Sequence, residues 1–269
     1  MFSFLRVPER TTKPRTNGLT MIEGDLHLAV AGMNWLQDLV RWGGDYIDYY
    51  KLGYTMMLQP RELITEKLTL LKQHNIEPYP QGNTTETAIK RGCLDALLDE
   101  FHKLGIRVIE VSSTNLPLTS GDKTKVTEKA KELGFTVFAE VGKKHIGLPG
   151  GPKTYMPITD VIREMKECLS AGAFKVIYEY TEVVSLLAED GGLERLLEVV
   201  GSVGVNNIMF EVPTSIVGTW RELSRYAILY AEHFGPNVNI GDVDPSHVLT
   251  LEIIRLGITP KSSDKVLNT

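Results

Sequence analysis

The sequence predicts an α/β fold: a (β/α)8 TIM barrel in a single domain, with an extended N-terminal arm. Three observations carry this. Short runs rich in β-formers alternate along the chain with amphipathic helical stretches, a pattern that implies right-handed crossovers and a parallel sheet. A unit also repeats, in which a glycine ends a helix, a strand follows and the strand closes on an acid. Finally, 269 residues accommodate about eight such units, as an α/β barrel of roughly 250 residues requires. A doubly wound open sheet is the alternative, but no G-x-G-x-x-G follows the first strand.

Composition narrows the class further. Hydrophobic residues at 42% are enough for a full core, and a net charge of -5 offers no reason to expect nucleic acid or an anionic membrane as partner. An anionic substrate would have to be held by local cations. Cys93 and Cys168 lack CxxC spacing and read as reduced thiols. No apolar run reaches the roughly 18 residues of a membrane span. The first residues, MFSFLRVPERTTKPRTNG, lack the pattern of a secretory signal, so cytoplasm is the expected location.

Residues 1–17 read as the arm, 18–258 as the barrel and 259–269 as a polar tail. Leu19 to Ile22 reads as the first strand, ending near Glu23 and Asp25. Residues 27–41 read as a helix stopped by Gly43 and Gly44. Tyr46 to Leu52 reads as the second strand and brings Lys51 to its end. Pro60 opens the next helix. Ile76 to Pro80 forms a third strand, after which Gly82 allows close backbone approach and Thr84 or Thr85 can cap a helix. That helix runs to Leu104 with a break near Gly92. The repeating unit then takes over. Gly105 precedes IRVIE, ending at Glu110. Gly134 precedes a strand at 135–139 that ends on Glu140, followed by Lys143 and Lys144. Gly172 leads to Glu179, Gly204 to Glu211 and Gly235 to Asp242. Glycine suits the left-handed cap after each helix. Pro245 to Leu256 reads as the last helix.

In a parallel barrel, all strand C-termini share one face. That face gathers Lys51, Glu110, Glu140, Lys143, Glu179, Glu211 and Asp242. Carboxylates crowded together need a proton, a lysine or a metal between them. Oxygen-only donors suit Mg²⁺, and a metal beside a lysine suits enolate-type chemistry. His145 and His247 lie near this rim, and the other histidines read as helix positions. No nucleophile with an adjacent base is evident.

The strings YIDYYKLGY, YPQGNTTE, EVSSTNLPL, EVGKK, KVIYEYTE, IMFEVP and NVNIGD occur in order between about Arg10 and Leu256. They resemble the phosphosulfolactate synthase family. The resemblance implies a TIM barrel and Mg²⁺-dependent addition of sulfite to phosphoenolpyruvate on the route to coenzyme M. It implies Lys51, Lys143 and Glu140 as catalytic residues, with Lys51 or Lys143 as the acid. Glu110, Glu140, Glu179 and Glu211 are then candidate metal ligands. Gly82, Asn83, Ser112, Lys144, Thr181 and Gly241 are candidate contacts to a small anionic substrate. A homo-oligomer is expected.

The chain also departs from the family pattern. Thr181 replaces the arginine after the sixth strand, and Val183 replaces a serine. Gln81-Gly82 stands for a glycine pair, Tyr54 for a tryptophan and Asp242 for an asparagine. A lost arginine removes a planar donor fork, and a gained aspartate repels an anion. Two alternatives follow: a non-catalytic, stress-associated relative acting through protein contacts, and a barrel enzyme that moves protons on a less charged substrate.

Overall fold

The computed structural model describes residues 4, 7–25, 31–113, 116–143, 155–213 and 220–258. Eight parallel strands form one nearly closed sheet in the order β3-β2-β1-β8-β7-β6-β5-β4. They are β1 (Thr20–Glu23), β2 (Tyr49–Leu52), β3 (Glu77–Pro80), β4 (Val108–Val111), β5 (Thr136–Val141), β6 (Lys175–Tyr178), β7 (Ile208–Glu211) and β8 (Asn239–Val243). Helices α1 (Met33–Gly43), α2 (Arg61–Gln73), α3 (Gly82–Lys90), α4 (Leu94–Leu104), α5 (Ser120–Glu132), α6 (Ile158–Ser170), α7 (Tyr180–Leu187), α8 (Gly192–Val203), α9 (Trp220–Phe234) and α10 (Val248–Arg255) connect them. The single barrel-like sheet excludes the open doubly wound alternative.

Several boundaries differ from the sequence-based expectation. Tyr46 closes a tight turn (Gly44–Tyr46), and β2 begins only at Tyr49. Thr84 and Thr85 do not cap α3. They lie buried within it, because Gly82 already starts the helix and Gln81 is its N-cap residue. Pro60 sits one residue before α2. Glu140 lies inside β5, which extends to Val141. The first helix was expected from residue 27; residues 26–30 lie outside the described residues, and α1 begins at Met33.

Strand alternation sorts side chains into two cores. Inside the barrel, Leu19, Met21, Tyr79, Val108, Phe138, Ile177 and Met209 form an apolar plug, with Tyr49 and Phe174 against it. Tyr49 meets Phe138 edge to face at 4.9 Å. Outside, the opposite strand faces and the helices share the larger core, which includes Tyr50, Val176, Phe210 and Tyr230.

The arm closes the N-terminal mouth. Arg10 donates to both Glu252 oxygens at 2.9 and 3.0 Å and to the Pro236 carbonyl at 2.8 Å. Lys13 Nζ donates to the carbonyls of Gly44 and His74 at 2.9 and 3.1 Å. Arg15 pairs with Asp48 at 3.0 Å. Arg255 is buried beneath and donates to the Leu19 and Val238 carbonyls.

One cation in this mouth is unfavourably placed. Lys175 begins β6 and is 5% exposed. Its ammonium lies 4.5 Å from the Phe174 ring and 3.4 Å from Asn17 Oδ1. Burial pulls its pKa from 10.5 to about 8. The folded state therefore binds fewer protons than the unfolded state between those values, so stability rises with pH across that window. Below it the penalty is fully present. Lys175→Met is expected to stabilise the protein at pH 7 by about 1–2 kcal/mol, discounted for residual solvent, and to flatten the alkaline rise. Urea unfolding at pH 7 and pH 10 checks this, and an unchanged slope between the two would refute it.

Candidate active site

The plug residues fix where the site must be. Two residues after a plug position, a strand presents the same face again, now at the C-terminal rim. Met21 is thus followed by Glu23, Tyr49 by Lys51, Val108 by Glu110, Phe138 by Glu140, Ile177 by Glu179 and Met209 by Glu211. Each of these six rim residues is at most 4% exposed. Five carboxylates and one ammonium form a charged layer directly above the apolar one.

Lys51 is the centre of this layer. Its Nζ lies 2.5 Å from Asp242 Oδ1, 3.3 Å from Glu110 Oε2 and 3.7 Å from Glu211 Oε1. Burial by itself lowers its pKa, but Asp242, Glu110 and Glu211 outweigh this and hold it well above 10.5. Lys51 is therefore a fixed ammonium at any physiological pH.

Asp242 reaches Lys51 through a defect in β8. Strict alternation would point Gly241 inward and Asp242 outward. The β1–β8 register shifts between Thr20 and Ile22, and Asp242 adopts a φ of 57°. The bulge turns the Asp242 carboxylate inward. Gly241 packs at the same point against the plug, where an added Cβ would stand 3.1 Å from Met209 Cγ.

The remaining carboxylates are held by the loops after their strands. Glu110 Oε1 accepts from the Gly82 N–H at 3.2 Å, and Tyr79 donates to Oε2 at 3.4 Å. Asn83 follows Gly82 in the first turn of α3, half-buried. Ser112, fully buried after β4, donates to Glu86 rather than presenting its hydroxyl alone. Glu86 also accepts from the Leu116 N–H at 3.0 Å. Glu140 is buried in β5, and its backbone carbonyl accepts from Lys123 Nζ at 2.8 Å.

Glu179 caps α7 and accepts from the N–H groups of Thr181 and Glu182 at 2.8 and 3.2 Å. The Thr181 hydroxyl lies within hydrogen-bond reach of both the Glu179 carboxylate and the Lys143 carbonyl, and its one proton serves one of them at a time. Where the family pattern has a guanidinium, this chain thus has a short tie between β6 and the loop after β5. Val183 is fully buried in the outer core and cannot face the basin. Glu211 accepts from the Tyr180 N–H at 3.3 Å.

Lys143 is exposed on the rim. The Gly142 backbone that leads to it has a φ of 127°, and a Cβ there would strike Glu179 and Glu182. Lys144 and His145 lie outside the described residues. His247 Nδ1 sits 3.7 Å from Asp244, at the foot of α10. Asp25 leaves the rim: it pairs with fully buried Lys67 at 3.1 Å and accepts from Tyr50 at 2.9 Å.

Two positions escaped the sequence reading. Glu182, 1% exposed, accepts from the Lys143 and Met156 N–H groups at 2.9 and 2.5 Å and so shapes the loop carrying Lys143. Its signal was its place one helical turn after Glu179. Glu86 lies one turn after Gly82 in the same way.

Among the described residues, no three acidic, His or Cys side chains form a ready cage for a metal ion. A hard cation still fits the donor chemistry. The basin offers only oxygen, carries excess negative charge, and Mg²⁺ commonly takes one or two carboxylates with water and substrate oxygens. Glu110, Glu140 and Glu211 are the buried donors nearest to that role; Glu179 is turned toward its helix cap.

A (β/α)8 barrel with a buried lysine and carboxylates at its C-terminal face has the build of an α/β-barrel enzyme, and the relatives identify it as a lyase. The profile described as (2R)-phospho-3-sulfolactate synthase matches residues 8–260. The chain belongs to the phosphosulfolactate synthase family. It is 30% identical over 98% of both chains to the phosphosulfolactate synthase of Methanothermobacter thermautotrophicus. It is 26% identical to that of Bacillus subtilis over 94% of this chain and 95% of the relative. In fold it is similar to an archaeal fructose 1,6-bisphosphate aldolase, with a TM-score of 0.53 at 9% identity, covering 94% of this chain and 98% of that one. No described helix is long and apolar enough to cross a membrane.

Proposed function

We propose that this chain adds sulfite to phosphoenolpyruvate, with Mg²⁺, to give phosphosulfolactate. The observation that supports this reading most is Lys51, a buried ammonium at the C-terminal face held by Glu110, Glu211 and Asp242. Sulfite sulfur attacks the methylene carbon of phosphoenolpyruvate, forming the C–S bond. The π electrons move toward C2 and its carboxylate. A proton from Lys143 completes the addition at C2, and solvent restores the lysine. Lys51 offers its charge to the electron-rich carboxylate; held so far above its ordinary pKa, it is a poor proton donor. Glu110, Glu140 and Glu211 would hold the metal, which supplies Lewis-acid stabilisation of the developing oxyanion. Glu179 and Glu182 fix the loop from which Lys143 works. This reading assigns substrate contacts at the rim to Gly82, Asn83, Ser112, Thr181 and Gly241.

Thr181 supports a second reading. Its hydroxyl sits between the Glu179 carboxylate and the Lys143 carbonyl, and this position offers no guanidinium to a second anion. On this reading the same chemistry acts on a less charged acid. Incubation with phosphoenolpyruvate, sulfite and Mg²⁺, followed by mass spectrometry, separates the two. The adduct is expected, and it disappears with EDTA and in Lys143→Ala. No adduct from folded protein at high concentration rejects the sulfite reaction. Product from a less charged acid would then favour the second reading, and no turnover with any acid would favour a non-catalytic relative.

A further inference from the structure

A second concave site lies outside the barrel, between α7 and α9. The cleft has a volume of about 320 Å³ and is lined by Val184 and Leu187 from α7, by Ala188 just after it, and by Arg225, Tyr226 and Leu229 from α9. Its wall is apolar apart from one guanidinium and one phenol. Among the described residues Arg225 has no carboxylate within ion-pairing distance, although other surface arginines such as Arg61 and Arg163 do. A half-buried guanidinium beside aliphatic side chains favours a ligand with an anionic head and an apolar body. The volume is at the lower end for small-molecule sites, which limits that body to a short chain or a single ring.

The cleft is also wired to the charged layer. Tyr226 packs edge to face on Tyr180 with ring centroids 5.3 Å apart. The Tyr180 N–H donates to Glu211 Oε2 at 3.3 Å. Tyr230, one turn after Tyr226, donates to the Glu211 carbonyl at 3.4 Å. The helix forming the opposite wall, α7, is capped by Glu179. An occupant wedged against Val184 and Tyr226 therefore presses on the elements that hold two rim glutamates.

We propose that the α7–α9 cleft binds a small amphipathic carboxylate, with Arg225 on its head group, and that its occupancy adjusts the start of α7. The binding part is independent of the reaction proposed above; a regulatory role for the adjustment rests on that reading.

The test uses the full chain and two probes, hexanoate and its neutral counterpart hexanol, at fixed ionic strength. Titration by NMR is expected to show hexanoate binding at least about tenfold tighter than hexanol. Arg225→Gln should remove that preference while leaving the hexanol affinity, and Val184→Trp should weaken both probes about tenfold by filling the cleft. Hexanoate should also slow amide hydrogen exchange at residues 180–182. Equal affinity for the two probes in the wild type overturns the proposal without recourse to any variant. So does hexanoate binding unchanged by Val184→Trp, or competitive displacement by phosphoenolpyruvate, which would put the probe in the barrel mouth. Unchanged exchange at 180–182 with binding intact removes the coupling to α7. None of these readouts requires turnover, so a failed sulfite assay does not affect them.

Discussion

Lys51→Met is expected to abolish activity and to lower the unfolding free energy by about 3–5 kcal/mol, because it strands buried carboxylates without their cation. Asp242, Glu110 and Glu211 all lie within 3.7 Å of the ammonium that is removed. The pH dependence has a definite sign. A lysine whose folded pKa is raised contributes fully below its unfolded value near 10.5, and the contribution fades as pH climbs through the raised value. The gap between wild type and variant should therefore stay constant from pH 7 to pH 10. A second variant separates charge balance from chemistry. Lys51→Met combined with Asp242→Asn removes one stranded charge and should recover part of the stability and none of the activity. Urea unfolding and the adduct assay measure both. A single variant within about 1 kcal/mol of wild type would show that the three carboxylates do not depend on Lys51.

Gly82→Ala should have the next largest effect. No unusual backbone angle is involved; the constraint is space. A Cβ at Gly82 would fall well inside van der Waals contact of Ser112 Oγ and Glu110 Oε1. The Gly82 N–H also donates to that same Glu110 oxygen. Overpacking of this kind costs about 1–3 kcal/mol. Displacing Glu110 also moves a partner of Lys51, and misplacement of about 1 Å can cost roughly 100-fold in rate. Adding Ser112→Gly to the variant relieves one of the two clashes and should recover stability more than rate. Wild-type kinetics in Gly82→Ala would mean that α3 can retreat without moving Glu110.

Much of this architecture was legible in the chain. The glycines at 105, 134, 172, 204 and 235 all have positive φ and precede strands, as the repeat predicts. The acids at 110, 140, 179 and 211 fall on one face because strand periodicity fixes them relative to the plug. Other features depend on contacts between segments distant in the chain. The inward turn of Asp242 depends on a bulge against β1, which alternation alone cannot reveal. Thr84 and Thr85 read as caps because local chemistry favours that, yet tertiary packing starts α3 earlier and buries both. Glu182 reaches back to the Lys143 N–H and Glu86 reaches forward to the Leu116 N–H, pairings between distant segments that no local pattern encodes. The departure of Asp25 from the rim follows from Lys67, 42 residues away in sequence.

The arm and the closing strand have a consequence for how the protein is made. β1 pairs with β8, Arg10 waits for Glu252, and Arg255 binds the Leu19 carbonyl. Arg10 and Leu19 thus find partners 242 and 236 residues further along the chain, which are translated after them. Until β8 and α10 emerge, β1 presents an unpaired sheet edge, a hazard for association with other nascent chains. Closure waits on β8, so a chain stopped before Asn239 has an open sheet rather than a smaller barrel.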